Sequence, residues 1–331
     1  VVGSGTNRDR FNHSINASNE EALAATLVGD VPLKLSIDDL RSIRFEERLR
    51  ANTGGLRVEA VAEGDVLFRV VQDGLDRIEG TVLEFSSSAV TFEVAQIGDS
   101  KTYPWSEVAA IFIEDLGGAE GDPAAGLPVA LDLIDLGRVT AQLESVHEGQ
   151  VSLLLAGGTA LALPLWAVDQ LSVQDGRLAY LSDHAPDQAD EGSPFGDDLG
   201  MVWSHRMDRS VTGLPLTANQ QLYTRGIGVH SPSRLTWDLA KLGEGNWQNL
   251  RGQVSIDDEV LHLGSKGSVL FVVEADGEVL WESPVVRGGD PPVALPAIDL
   301  SGKSQLSLVV DMATDLHVAD RADWLQVRLT R

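Results

Sequence analysis

The first two-thirds of the chain are built on a repeat. Ile78, Val82, Val90, Phe92 and Val94 stand 61 positions before Val139, Leu143, Val151, Leu153 and Leu155. After a turn one residue shorter, Pro104, Val108, Ile111 and Ile113 stand 60 positions before Pro164, Val168, Leu171 and Val173. A third copy shows only its ending, where Ser36 to Leu40 and Ile43 to Phe45 match the Pro104 to Ile113 stretch 68 positions later. Self-similarity at a fixed period means that each copy is one supersecondary unit. Apolar residues alternate within each copy, as in Val90-Thr-Phe-Glu-Val94 and Val151-Ser-Leu-Leu-Leu155. A period of two marks strands with one face on a core. Turns are expected at Ser86 to Ser88, Gly98 to Ser100, His147 to Gly149 and Gly157-Gly158.

Five short strands in about 50 residues are too few for a sandwich and suit a small curled barrel. In length and pattern the copies are similar to Sm-like or SH3-like barrels. The stretch Gly117 to Gly126, rich in Gly, Ala and Pro, reads as a linker between the complete copies. Ser182 to Pro194, polar and acidic, reads as a second linker or as a loop wrapping the module that follows. Residues 1–18 hold few apolar side chains and are expected to fray. Helices are expected to be scarce, with Glu20 to Leu27 the best candidate.

The 331 residues include 50 acidic and 25 basic ones, a formal charge of −25. Such a surface repels phosphate backbones and anionic headgroups, which argues against nucleic-acid or membrane-surface binding. It argues equally against an RNA-binding role for the barrels, which lack basic and aromatic platforms. The same charge suits solubility or an attraction for hard cations such as calcium. No cysteine is present, so disulfides, thiolate zinc sites and cysteine nucleophiles are excluded. No apolar run approaches the roughly 20 residues of a membrane helix. The N-terminus, Val1-Val-Gly-Ser-Gly-Thr6, has neither an initiator Met nor the pattern of a signal peptide. The expectation is a mature product or a fragment of something longer.

The last third carries signatures in fixed order. They are Tyr223-Thr-Arg-Gly-Ile-Gly-Val-His-Ser-Pro-Ser-Arg234, Val254-Ser-Ile-Asp-Asp-Glu-Val260 and Gly267-Ser-Val-Leu-Phe-Val-Val-Glu274. Asp276-Gly277, Glu278 to Trp281 and Asp320-Arg-Ala-Asp-Trp324 follow. Together they resemble the NPCBM family, a carbohydrate-binding module first noticed beside glycoside hydrolases, over about residues 178 to 331. The resemblance implies a β-sandwich of the galactose-binding-like, jelly-roll type that grips ligands with loops and has no catalytic machinery. One departure stands out. The family ending is Asp-His-Ala-Asp-Trp, and here Arg321 takes the histidine's place. Arginine still donates to a hydroxyl or pairs with a carboxylate, but it has no lone pair to accept with.

The expected organisation is therefore all-β. It comprises a flexible N-terminus (1–18), a partial first repeat and linker (19–60), small β-barrel repeats (61–117 and 126–178) and the sandwich (179–331).

Candidate residues come from the loops of that last region. Gly226-Ile-Gly228 allows positive φ or close approach by another backbone, and Pro232 argues against a phosphate-binding helix there. His230 reads either as a sugar-pocket residue or as a satisfied histidine holding a loop. Asp257, Asp258 and Asp323 are candidates to accept sugar hydroxyls, with solvated turn residues as the plain alternative. Arg321 is a candidate donor, and Trp203 and Trp247, in loop-like stretches, are candidate stacking faces. For a structural calcium the candidate ligands are Asp257, Asp315 and Asp320, because calcium wants six to eight oxygens. A glycosidase would need two carboxylates about 5 to 10 Å apart across a cleft, which a sequence cannot show. His-Glu-x-x-His, Gly-x-Ser-x-Gly and a phosphate-binding loop are all absent.

The leading expectation is a non-catalytic, exported bacterial protein, periplasmic or extracellular. It would bind a neutral or galactose-like glycan, such as a cell-surface polysaccharide. The alternative is a structural or protein-interaction module in which the sugar pocket has decayed.

Overall fold

The computed structural model describes residues 14–18, 22–28, 30–36, 40–53, 58, 64–72, 74–114, 126–155, 158–192, 203–243, 246–314 and 316–331. The chain divides into two units, Val1–Gln174 and Asp175–Arg331. Strands dominate both, as the alternation predicts. Among the described residues no helix is long and apolar enough to cross a membrane.

In the first unit the strands are β1 (Ser14–Ser18), β2 (Ala22–Leu27), β3 (Val31–Ser36) and β4 (Ser42–Arg44), followed by the helix α1 (Glu46–Thr53). Then come β5 (Asp65–Val71), β6 (Gly74–Phe85), β7 (Ala89–Val94), β8 (Asp99–Pro104) and β9 (Val108–Phe112). The last set is β10 (Leu127–Leu133), β11 (Arg138–His147), β12 (Gln150–Leu155), β13 (Ala160–Pro164) and β14 (Val168–Val173). The two complete copies have the same strand order, β9-β5-β6-β7-β8 and β14-β10-β11-β12-β13. Their registers agree to the residue. Val82 lies opposite Phe92 and Leu143 opposite Leu153, and one residue further each ladder slips at a bulge. Between the first and fifth strands, the slip falls after Phe68 in one copy and after Asp132 in the other.

Four expectations are corrected here. The copies are not closed barrels: among the described residues β13 pairs only with β12 and β14 only with β10, so each sheet stays open. The open sheets are buried because Val90, Phe92 and Ile111 share one apolar cluster with Val129, Leu131, Val151 and Leu153. The first copy is also more than an ending. The β1-β2-β3 meander supplies three further strands, and β1 slips against β2 between Ile15 and Ala17, as β6 and β11 slip against theirs. Finally, Ala22–Leu27 is a strand and not a helix, and Ser14–Ser18 pairs with it instead of fraying. Residues 1–13, and 117–125 of the first expected linker, lie outside the described residues.

Among the described residues there is one α-helix, which the sequence reading did not predict. Acidic Glu46 and Glu47 sit in its first turn and Arg50 in its last, matching the helix dipole. Asn52 and Thr53 turn back onto the carbonyls of Arg48 and Leu49. Its buried Leu49 packs with Val66, Phe68, Ala109, Ala110 and Phe112. Strand β9 is therefore covered on both faces and wholly buried, which explains its unbroken apolar run.

In the second unit the strands are β15 (Leu178–Tyr180), β16 (Gln188–Glu191), β17 (Arg206–Met207), β18 (Leu216–Ala218), β19 (Gln221–Tyr223), β20 (Gly226–His230) and β21 (Ser233–Asp238). They continue as β22 (Asn249–Ile256), β23 (Ser268–Ala275), β24 (Glu278–Glu282), β25 (Val286–Arg287), β26 (Val293–Ala294), β27 (Ile298–Asp299), β28 (Gln305–Met312) and β29 (Arg321–Thr330). Two large antiparallel sheets and the small β18-β19 hairpin result. One runs β17-β20-β29-β22-β26, with β15 against β29 and β27 against β22; the other runs β16-β21-β28-β23-β24, with β25 against β23. Their inner faces meet in a single core around Trp237, Phe271, Leu308 and Trp324. The resulting β-sandwich is the architecture expected of this region. The expected second linker is partly structural, since β16 within it pairs with β21.

Candidate functional site

Two adjacent strands place the centre of the site. Strand β20 ends where β29 begins, and the register sets His230 opposite Arg321. The glycines of Gly226-Ile-Gly228 permit this by close approach and not by positive φ. A Cβ on Gly228 would lie 2.4 Å from the Arg209 carbonyl oxygen, and one on Gly226 would lie 2.7 Å from that of Trp324.

Around this pair three further elements converge. Trp203 stacks on His230 with 5.9 Å between ring centroids and 15° between planes. The Arg321 guanidinium lies 5.9 Å from the Trp203 ring centre. His317, from the loop before β29, meets His230 edge-on at 6.0 Å. Glu259, in the short 3-10 helix Asp258–His262, pairs with Arg321 at 3.1 Å and accepts from the Thr212 hydroxyl at 2.6 Å. Trp203, His230, His317 and Arg321 are all half-buried, so the cluster is open to solvent on one side.

The protonation states follow from these contacts. His230 Nδ1 lies 2.8 Å from the Ser231 carbonyl oxygen. A carbonyl only accepts, so Nδ1 carries the proton and the neutral ring leaves Nε2 as an acceptor. Burial, opposed by the Ser231 contact and aided by His317 and Arg321, holds the ring's pKa below the ordinary histidine value. At neutral pH His230 is therefore an uncharged acceptor beside a charged donor, Arg321. It supplies the lone pair that arginine lacks at position 321. Burial pushes the Glu259 carboxyl upward, against the opposing pull of Thr212 and Arg321.

The other sequence candidates lie elsewhere, held by backbone donors or buried in the core. Asp257 is fully buried; it accepts from the Thr217 N–H at 2.9 Å and caps the 3-10 helix through the Glu259 N–H at 2.8 Å. Asp258 accepts from the N–H groups of Asn219 and Gln220, the two left-handed residues of the β18–β19 turn. Asp323 is fully buried beside Asp257, and desolvation first, then the Asp257 charge, drives its pKa well above the carboxylate range. Trp247 is 3% exposed and belongs to the core, with the Arg331 guanidinium 5.2 Å from its ring. Asp257, Asp323 and Trp247 present no exposed surface to a ligand, and Asp258 is half-buried with both oxygens accepting from backbone N–H groups. Asp258 and Asp257 instead shape the loop that carries Glu259.

The calcium candidates fit a cation poorly. The buried Asp320 accepts from the Ser231 hydroxyl and from the Ser268 N–H, and Asp257 is held by N–H donors as above. Asp315 lies outside the described residues. Among the described residues no group of three or more acidic or histidine side chains is disposed to hold a metal.

The structure thus brings the sequence candidates Trp203, His230 and Arg321 together and adds His317 and Glu259, which the sequence did not single out. Glu259 was visible as the third member of an acidic run. Its distinction lies in facing Arg321, which only the fold reveals.

Residues 177–330 match the family model described as the NPCBM/NEW2 domain. The chain is 32% identical over 124 residues to alpha-1,3-galactosidase B of Akkermansia muciniphila; the match covers 37% of this chain and 15% of that enzyme. Among solved structures, a CBM51 module from a Clostridium perfringens GH95 protein, in complex with methyl-galactose, is 25% identical. The match covers 46% of this chain and 99% of that one, with a TM-score of 0.39. CBM51-2 with GlcNAc and INT domains from Clostridium perfringens ZmpB is likewise 25% identical, covering 60% and 42%, with a TM-score of 0.40.

Proposed function

We propose, on the premise that residues 177–330 form an NPCBM/NEW2 domain, that the C-terminal unit binds a neutral glycan of the galactose type without transforming it. The observation that carries this reading is the cluster of Trp203, His230 and Arg321 at one end of the sandwich. An aromatic face suits the C–H side of a sugar ring. Beside it, the Arg321 guanidinium offers N–H donors and His230 Nε2 an acceptor, which suits adjacent hydroxyl groups. The galactose preference is supported by the partial match to a galactosidase. A binding role is further supported by the backbone donors that hold Asp257 and Asp258 and by the burial of Asp323 away from the surface.

Affinity should be weak, because hydroxyl groups exchange water bonds for protein bonds at little net gain. A millimolar constant corresponds to about 4 kcal/mol, so loss of a single contact can abolish detectable binding. Calorimetric titration of the chain with galactose, lactose and N-acetylglucosamine tests this. Trp203→Ala and Arg321→Ala should lose binding with little change in melting temperature, while Asp258→Ala should keep it. No binding by the wild type to any of these sugars would favour the protein-interaction alternative.

A further inference from the structure

The first unit contains its own example of two repeat copies joined edge to edge. Strand β4 pairs antiparallel with β9, and both are the fifth strand of their copies. The register is self-complementary, with Ile43 directly opposite Ile111, the residue that occupies the same place in the next copy. This is a local two-fold axis, the geometry of an isologous dimer interface.

The last copy has the same strand without the same cover. Strand β14 ends its sheet among the described residues. Leu171 stands where Ile43 and Ile111 stand in their copies. Those two are 5% and 0% exposed, whereas Leu171 is 38% exposed. The difference extends to the neighbouring turn. In the middle copy Trp105 is buried under Phe45, the residue just after β4, at 6.1 Å between rings. Its counterpart Leu165 is 47% exposed, and Trp166 beside it is 62% exposed. An edge strand flanked by bare leucine and tryptophan side chains is a template for another strand.

We propose that β14 docks a second copy of this chain, its own β14 adding antiparallel across a two-fold axis as β4 adds to β9. The occupant is argued from the chain itself: among the described residues, the fifth-strand edge that is covered is covered by another fifth strand. Transferring the register sets Leu171 opposite Leu171 of the second copy and Gln170 opposite its Ser172. The position after the strand, Phe45 in the internal pair, corresponds to Val173, which would cover Leu165. No like charges fall opposite one another along the strand, as such pairing requires. Each copy carries −25, so long-range repulsion opposes association and salt should strengthen it.

Sedimentation of the chain at 0.15 M and 0.5 M salt, a range spanning Debye lengths of about 8 Å and less, should show dimers favoured by the higher salt. Leu171→Lys should weaken the dimer at least tenfold while leaving the melt unchanged. Because the chain has no cysteine, single replacements report position directly. Leu171→Cys should form a linked dimer under mild oxidation. Val146→Cys, 52% exposed on β11, should remain monomeric on the same gel. A wild-type chain that stays monomeric up to about 100 µM at both salt concentrations would overturn the proposal. So would a dimer in which Leu171→Cys links no faster than Val146→Cys.

Discussion

Asp323 and His230 show how burial decides the chemistry of single residues in the C-terminal sandwich. Asp323 is fully buried, and desolvation first, then the nearby Asp257 charge, raises its pKa well above the ordinary aspartate value. An unfolded aspartate ionises near 3.9. Between that value and the raised folded one, the folded state holds the extra proton, so stability falls as pH rises through this window. Asp323→Asn keeps the shape and removes the titration. Urea midpoints at pH 5 and pH 8 should therefore fall less for Asp323→Asn than for the wild type. An identical fall would show that Asp323 is ionised in the fold. For His230 the sign concerns ligand binding. Its lowered pKa keeps Nε2 an acceptor at neutral pH, and protonation on the acid side turns that nitrogen into a donor. Galactose binding should be level between pH 8 and 7 and weaken below the ordinary histidine value of about 6.5. In His230→Gln, whose amide oxygen can accept at any pH, that acid limb should vanish.

At the scale of elements, glycines in the sheet mark where other backbone passes. The space that Gly228 leaves is filled by the Arg209 carbonyl and the Ser210 backbone, neither of which can rotate away as a side chain would. Gly228→Ala should therefore cost about 1–3 kcal/mol or more, the range for overpacking. It should displace the 208–214 turn and, with it, Thr212 and Glu259. A melting temperature within error of wild type would refute this. The sequence made this glycine pair conspicuous and named close approach as one of its two uses. The repeat was equally legible, because a period of two with fixed offsets survives as register: Val90 and Val151 hold the same place in β7 and β12. What stayed hidden were features set by partners far along the chain. Strand β2 reads Ala-Leu-Ala-Ala-Thr-Leu, a composition with strong helical preference, yet it pairs on both sides. Tertiary pairing overrode propensity there. Carboxylates such as Asp257 and Asp258 look alike in a sequence, whether they face a ligand or cap a turn, because their donors lie some 40 positions away.

For the whole molecule, the decisive fact is that its buried cores separate by unit. Among the described residues, the cluster around Trp237, Phe271 and Trp324 draws on residues 179 to 329, and the cluster around Phe92, Val129 and Leu153 on residues of the first unit. A core that closes within one segment can lose its packing without dragging another with it, which breaks single-transition behaviour. Scanning calorimetry of the chain should show two transitions. Trp324→Ala leaves a large cavity in the sandwich, worth about 3–5 kcal/mol. It should lower one transition and leave the other in place. Leu153→Ala, costing about 2–5 kcal/mol by the same mechanism, should do the reverse. The sugar supplies an independent marker. A ligand bound only by the folded sandwich raises the stability of that unit by mass action and of no other. The transition lowered by Trp324→Ala should therefore be the one that galactose raises. One shared transition, moved by both substitutions, would mean that the two cores unfold as a single cooperative body.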